Sequence, residues 1–337
     1  MYIRILLRPL AVLYGFVVSV RNYLYDKQIL KSHSVPVKTI GVGNIRAGGT
    51  GKTPHSAFLI QALRSAGYNP GFVSRGYGRK ETGIHLVTPE DTAARSGDEP
   101  VMLARMLPHL PAAVSASRVE GVAFLLSEFP SLDSVVLDDV FQHRSIKTDC
   151  LILLLDYNDL INNSMRLIPE GLYRETPAAI HRADIVILTR SPENPDKERV
   201  RTLISSVKPG FDHLFYSKLR YNGYLSSGVY EPIIYKDETC ILITGIARPE
   251  DLISEMERFW KKVIPVTRKD HYNYEMKDIE EIQGLLSANP GACLLTTAKD
   301  DVRLKTLGIN CSVISIEPDV ENKDKLINQI LEISGLH

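Results

Sequence analysis

From residue 37 onward, short β-branched apolar runs alternate with longer stretches of helical periodicity, the pattern of a parallel sheet covered by helices. Strands are predicted at Val37 to Val42, Gly71 to Ser74, Ala112 to Ser115, Ser134 to Asp138, Cys150 to Leu155 and Ile185 to Thr189. Helices are predicted between them: Thr53 to Ala66 closed by Gly67, Glu99 to Met106, Ser117 to Phe129, and Pro177 to Arg182 with Thr176 as N-cap. A second, shorter series places strands at Cys240 to Thr244, Val263 to Val266, Cys293 to Thr296 and Val313 to Ile316. Between the two series, His213 to Leu219 and Val229 to Tyr235 read as extended arms joined by a loop that holds Asn222 and Gly223. The expected organisation is an N-terminal helix over 1–30, a core domain over 31–212, a two-stranded linker over 213–238 and a smaller α/β domain over 239–337.

The N-terminus follows a different pattern. Pro9 to Val20 is an uninterrupted apolar stretch between Arg8 and Arg21, too short to span a bilayer as a helix. On a helical projection Arg4, Arg8, Ser19 and Asn22 share an arc of roughly 60°, while Leu6, Leu10, Leu13, Val17, Val20 and Leu24 gather opposite. Such a helix suits the membrane interface, with residues 1–25 as the contact and Pro9 at its first turn. The alternatives are a helix packed on the protein's own core and a cleaved signal peptide, although no small-x-small cleavage site follows.

Composition narrows the partners. The 40 basic and 40 acidic residues cancel, so no global field draws the chain toward nucleic acid, and none is expected as a partner. The four cysteines, Cys150, Cys240, Cys293 and Cys311, are widely separated and form no C-x-x-C pair; they read as reduced thiols, which favours the cytosol.

The sharpest motif is Gly43-Asn44-Ile45-Arg46-Ala47-Gly48-Gly49-Thr50-Gly51-Lys52-Thr53, between a predicted strand and a predicted helix. That is the setting of a P-loop: backbone N–H groups from Gly48 to Gly51 cradle phosphate, Lys52 reaches the β and γ phosphates, and Thr53 binds Mg²⁺. The usual G-x-x-x-x-G-K-[ST] spacing requires glycine at position 46, where this chain has arginine. The fold class is therefore read as α/β: a P-loop NTPase-like, mostly parallel sheet with helices on both faces, plus a smaller C-terminal α/β domain on a two-stranded β linker. One alternative is a membrane-recruited ATPase switch of the deviant Walker type, whose signature lysine position is Ala47 here. Another is a nucleotide-binding scaffold without turnover.

Val135-Val136-Leu137-Asp138-Asp139 is an apolar strand ending in two carboxylates, as in a Walker B element that holds Mg²⁺. Gln142 and His143 follow at the strand's carboxyl edge, where open α/β sheets bind ligands. Ser96-Gly97-Asp98-Glu99-Pro100 adds two carboxylates at a helix start, and Asp98 is the candidate base for an alcohol acceptor. Arg75, Arg118 and Arg174, in glycine-rich or loop contexts, are candidates for phosphate charge.

Together these segments resemble the tetraacyldisaccharide 4′-kinases from end to end. The resemblance rests on V-G-N-I-R-A-G-G-T-G-K-T-P (Val42 to Pro54), S-R-G-Y-G (Ser74 to Gly78), G-D-E-P (Gly97 to Pro100) and D-D-V-F-Q-H (Asp138 to His143). It continues through P-E-G-L-Y-R-E (Pro169 to Glu175), D-H-Y (Asp270 to Tyr272) and T-T-A-K-D-D-V-R-L (Thr296 to Leu304). It implies ATP- and Mg²⁺-dependent phosphorylation of the 4′ hydroxyl of a tetraacyldisaccharide 1-phosphate, giving lipid IVA. The implied location is peripheral, at the cytoplasmic face of the bacterial inner membrane, and a monomer is expected.

By the same resemblance, Lys52 and Thr53 serve ATP and Mg²⁺, Asp98 is the base and His271 supports it from the smaller domain. Glu99 and Asp138, with Asp139, stand on the metal side. Arg118 and Arg174 contact phosphate, beside Asn44, Arg75, Gln142 and His143. The family usually reads D-D-G where this chain has Val140, so a differently shaped turn is expected there.

Overall fold

The structure, a computed structural model, describes residues 2–226 and 229–336, with side chains from Leu6 onward. Arg4, assigned from the sequence to the polar face of the first helix, lies outside the described side chains. The larger lobe contains β1 (Lys38–Asn44), β2 (Pro70–Ser74), β3 (His85–Leu86), β4 (Ala112–Val114), β5 (Ser134–Asp138), β6 (Cys150–Asp156), β7 (Ile185–Thr189) and the start of β8 (Leu214–Ser226). The smaller contains β9 (Val229–Pro232), β10 (Lys236–Thr244), β11 (Trp260–Thr267), β12 (Cys293–Thr297) and β13 (Ser312–Val320). They form one sheet in the order β11-β10-β12-β13-β8-β7-β6-β1-β5-β2-β4-β3, with β9 on β8.

Within the larger lobe every strand pair is parallel except β3–β4 at the edge. Both faces are buried, which alternation makes visible: Val136 packs with Ile40 and Val42 on one face, whereas Val135 and Leu137 join a separate cluster on the other. The P-loop NTPase-like α/β reading is the observed architecture.

β8 ties the lobes together. Its first residues pair parallel to β7, and its remainder runs antiparallel to β13. Asn222 and Gly223, expected in a turn, lie inside this strand. The partners step from Ser315↔Gly223 to Ile316↔Tyr221, which leaves Asn222 as the extra residue of a bulge. Gly223 is needed because a Cβ there would meet the Glu231 carbonyl oxygen at 2.5 Å. The chain's last helix, Lys323–Ser334, returns to the larger lobe, where Leu326 and Ile330 share a cluster with Ile40. Residues 239–337 are thus not confined to the smaller lobe.

The N-terminal helix spans Tyr2–Asp26 and runs through Pro9 instead of beginning there. An interior proline costs about 3 kcal/mol, and tertiary contacts offset it: Tyr14 donates to the Arg174 carbonyl at 3.1 Å and Asn22 to Glu175 at 2.7 Å. Arg21 donates to the Gln142 carbonyl at 2.5 Å. The helix docks by a mixed side that carries Ala11, Tyr14, Gly15, Arg21 and Asn22, with Ala11 buried and Gly15 close against Leu167, and Leu10, Leu13, Phe16 and Val17, each more than half exposed, point to solvent. The helix thus packs on the larger lobe, but not through the stripe of Leu10, Leu13 and Val17. No described helix is long and apolar enough to cross a membrane.

Candidate active site

β1 sits between β5 and β6, so its carboxyl end opens at the centre of the larger lobe's sheet. The chain then turns through Gly48, Gly49 and Gly51, with φ of 74°, 50° and 76°, and enters the helix Lys52–Ser65. These left-handed values explain the glycines. Arg46 needs no such freedom, because residues 45–47 continue as an extended segment: Ala47 N–H donates to Leu172 O and Arg174 N–H to Ile45 O, both at 2.7 Å. That pairing lays Arg174 along the P-loop, and the Arg46 side chain turns to Asp159, 3.2 Å away.

The second half of the site comes from the end of β5. Lys52 Nζ lies 3.6 Å from Asp139 Oδ1, and Arg174 Nη1 donates to Asp139 Oδ2 at 3.0 Å. Burial works to raise the Asp139 pKa, but Lys52 and Arg174 outweigh it and hold the carboxyl below its ordinary value. Asp138 is different. It is fully buried and makes no ion pair among the described residues, its Oδ1, like that of Asp139, has no hydrogen-bond partner there, and burial with the nearby Glu99 charge pushes its pKa up to about 7.

A carboxylate so placed fits a cation. Mg²⁺ is an ion held by one or two carboxylates plus phosphate and water, and Asp138 could serve as such a carboxylate. In the turn after Asp138 the positive φ, 44°, belongs to Asp139 and not to Val140. Val140 is buried over Gly41, where its Cγ1 occupies the space a Cβ would need.

The smaller lobe closes over this end of the sheet. Asp98, almost fully buried at the start of the helix Asp98–Met106, accepts from His271 Nδ1 at 2.9 Å. Arg303 grips the same carboxylate through Nε and Nη2, both at 2.7 Å. Burial alone would raise the Asp98 pKa; the His271 and Arg303 bonds reverse this and hold it below the usual value. His271 Nε2 lies 3.2 Å from Lys299 Nζ, which also bonds Asp270 at 2.6 Å. The Gly97 backbone has a φ of 90° and stacks on Gly76, where a Cβ on either residue would clash. This contact sets S-R-G-Y-G against G-D-E-P.

The remaining predicted residues divide by what their side chains touch. Asn44, expected to meet phosphate, is buried: its Nδ2 donates to Thr50 Oγ1 at 2.5 Å and its Oδ1 accepts from Arg174, so it braces the P-loop. Arg118 is likewise buried, with Nη groups on the Ser115 and Asp138 carbonyls that hold the β5 turn, while its Nε has no hydrogen-bond partner among the described residues. Gln142 donates to the Asn44 carbonyl and Glu175, and accepts from Arg174. Arg75 and His143 make no side-chain hydrogen bond among the described residues. Burial and the Arg118 and Arg75 charges depress the His143 pKa to about 4.

Sequence reasoning misses Arg303, Lys299 and Glu175 as site residues, although each lies inside a segment that carries the family resemblance. Their charges alone do not mark them, because the role depends on partners in the other lobe or the first helix. The cysteines are far apart along the chain, yet Cys240 and Cys293 lie in register on neighbouring strands as free thiols, with burial raising both pKa values.

A cavity of about 510 Å³ lies between the lobes, walled by Gly49 to Pro54, Glu99, Arg190, Arg248, Asp270 and Lys299, with apolar lining from Leu219, Ile246, Val313, Ile314 and Ile316. The sequence profile of the LpxK family, tetraacyldisaccharide-1-P 4′-kinase, matches residues 3–334. The chain belongs to this family. A tetraacyldisaccharide 4′-kinase of Cytophaga hutchinsonii is 36% identical over 311 residues, spanning 91% of this chain and 87% of the relative. One from Bacteroides thetaiotaomicron is 37% identical over 315 residues, spanning 88% and 82%.

A crystal structure of LpxK from Aquifex aeolicus in complex with ATP superposes with a TM-score of 0.78 at 29% identity, covering 98% of this chain and 99% of that one. LpxK membership removes support for the deviant ATPase switch. It also agrees with Ala47 at that class's signature lysine position.

Proposed function

We propose that this chain transfers the γ-phosphate of ATP to the 4′ hydroxyl of a tetraacyldisaccharide 1-phosphate, giving lipid IVA. The observation that carries the reading is the meeting of Asp98 and His271 beside a P-loop cavity walled by their neighbours Glu99, Asp270 and Lys299. A P-loop alone serves hydrolases and switches equally well; an oriented acid–histidine pair delivered by two lobes serves an alcohol acceptor.

In this reading the glycine turn and Lys52 hold the triphosphate, and Arg174, fixed by Asp139 and Gln142, adds charge at the transferring group. Bound Mg²⁺ would neutralise charge on the phosphates, with Asp138, Thr53 and Glu99 as its protein side. Asp98 remains the base of the pair and His271, bonded to it through Nδ1 and with Nε2 already 3.2 Å from Lys299 Nζ, supports it, so the acceptor's proton passes to the pair as a unit while Arg303 holds the carboxylate in place. Closure of the smaller lobe excludes water and limits hydrolysis.

The apolar side of the N-terminal helix supports peripheral attachment to the inner membrane, at the cytoplasmic face where ATP is available. The helix docks on Arg174, Gln142 and Glu175, so a lipid held at the interface arrives beside the phosphate site. One chain supplies both lobes of the site, and a monomer suffices.

Purified protein with Mg-ATP and tetraacyldisaccharide 1-phosphate should yield a doubly phosphorylated lipid. Folded protein that binds ATP but forms no such product would overturn the reading.

A further inference from the structure

Three charged side chains on the cavity side take no part in that phosphate and proton transfer. Asp156, fully buried at the end of β6, receives two guanidinium groups on Oδ2: Arg190 Nη2 from the loop after β7, and Arg248 Nη1 at 3.2 Å from the smaller lobe. Its Oδ1 accepts from the N–H groups of Asn158 and Asp159 at 2.9 and 3.1 Å. Asp156 is therefore held from both sides of the cleft, with Arg248 as the second cation on its buried charge.

Arg190 also reaches the P-loop. Its Nη1 donates to the Gly49 carbonyl at 2.6 Å, from a residue with φ of 55°, a left-handed conformation uncommon for arginine and found where a site over-determines the backbone. Because the peptide unit is planar and trans, drawing the Gly49 carbonyl toward Arg190 points the Thr50 N–H the opposite way. Thr50 lines the cavity, and its N–H makes no hydrogen bond within the described residues. Ala247, next to Arg248, presses on the same glycine, with its Cβ 3.1 Å from where a Gly49 Cβ would stand. A continuous chain of contacts thus runs from the smaller lobe through Arg248, Asp156 and Arg190 to the crest of the P-loop.

We propose that Arg248 is a positioning residue for the nucleotide: through Asp156 and Arg190 it sets the Gly49–Thr50 peptide for phosphate, so lobe closure and P-loop shape become one event. Arg248 and Arg190 both line the cavity, and a polyanion there adds to the charge balance that draws the smaller lobe in. This rests on the reading of the cavity as the ATP site.

The test is steady-state kinetics of Arg248→Ala and Arg248→Lys against ATP and against the lipid acceptor, with ADP-dependent thermal shifts of the same proteins. Loss of one charge-assisted contact predicts a KM for ATP raised roughly ten- to a hundredfold in Arg248→Ala. The acceptor KM should change little, the ADP-induced shift should shrink, and Arg248→Lys should recover much of the effect. An unchanged KM for ATP would overturn the proposal. So would equal rises in both KM values with a matching loss of kcat, the mark of a lobe merely loosened. Failure of the underlying reading shows separately, as wild-type protein without phosphate transfer or a Lys52→Ala variant that binds ATP normally.

Discussion

Arg303 grips Asp98 through two N–H···O bonds of 2.7 Å, crossing from the smaller lobe to the helix beside the P-loop. A fork of this kind fixes angle as well as distance, which a lysine cannot do. Arg303→Lys should lower kcat roughly tenfold or more, a loss on the scale of one charged hydrogen bond, while leaving the KM for ATP near wild type. The Asp98 carboxyl is depressed in the folded state, so its stabilising contribution is present above the unfolded carboxylate pKa and lost as pH falls through the folded one. Without the fork its pKa rises, and acid unfolding of Arg303→Lys should begin at higher pH than in the wild type.

Asp98→Asn leaves the shape of the site but replaces the carboxylate by a neutral amide, which removes the charge that faces His271 Nδ1–H and one of the two oxygens that Arg303 grips. A general base contributes roughly 10²- to 10⁴-fold, and turnover at saturating ATP should fall within that range. His271→Gln should cost about as much, and the double variant little more, because the two act as one unit. Additive losses measured in the double variant would show independent roles.

Asp138 predicts a stability effect with a defined sign. Its folded pKa is raised to about 7, so in metal-free protein the buried carboxylate becomes increasingly costly between pH 4 and pH 7. Asp138→Asn should therefore melt higher than wild type in the absence of Mg²⁺, by a margin that grows over this interval and levels off above it. The same variant should need roughly tenfold more Mg²⁺ for half-maximal activity, the scale of one lost ligand.

His55 lies behind the P-loop, with Nδ1 2.7 Å from the Gly51 carbonyl and Nε2 3.0 Å from Ser217 Oγ on β8. Burial holds its pKa down at about 4 from 6.5, only partly opposed by the Gly51 hydrogen bond. The stabilisation is present above pH 6.5 and fades as pH falls toward 4, an effect of up to about 3 kcal/mol. His55→Asn should flatten the fall of Tm over that window without abolishing it, since His143 is depressed in the same direction.

For the N-terminal helix, point substitutions separate membrane contact from docking. Leu13 and Phe16 are 60% and 65% exposed, so changing both to aspartate should leave Tm unchanged and weaken sedimentation with anionic vesicles by roughly a hundredfold, given about 1.5–3 kcal/mol per buried apolar side chain. Asn22→Ala should do the reverse, lowering Tm by removing the bond to Glu175. Undiminished vesicle binding in the aspartate variant would place the membrane contact elsewhere.

Much of this organisation is legible in the chain itself. β5 and β7 fall on the predicted residues, and the P-loop helix begins within one residue of its expected start. Local signals suffice there because strand alternation, a glycine turn and helical periodicity are each encoded over a few residues. Asn222-Gly223 misleads for a physical reason: the same residues that favour a turn also serve a bulge, and the choice is made by β13 on one side and Tyr230 on the other. For Arg118 and Asn44 the sequence shows a charge and an amide beside a phosphate loop, while their burial and their partners Asp138 O and Thr50 Oγ1 belong to the tertiary structure.

The sequence by itself determined a phosphate-binding turn, an acidic strand end and an apolar N-terminal helix, because each is a property of consecutive residues. Tertiary structure alone decided which side of that helix docks, that Asp138 makes no ion pair among the described residues while Asp139 is held by two cations, and that Asp98 meets His271 across 173 residues of chain. Such convergence depends on how β8 carries one lobe's sheet into the other, a relation between distant segments that no local pattern of side chains records.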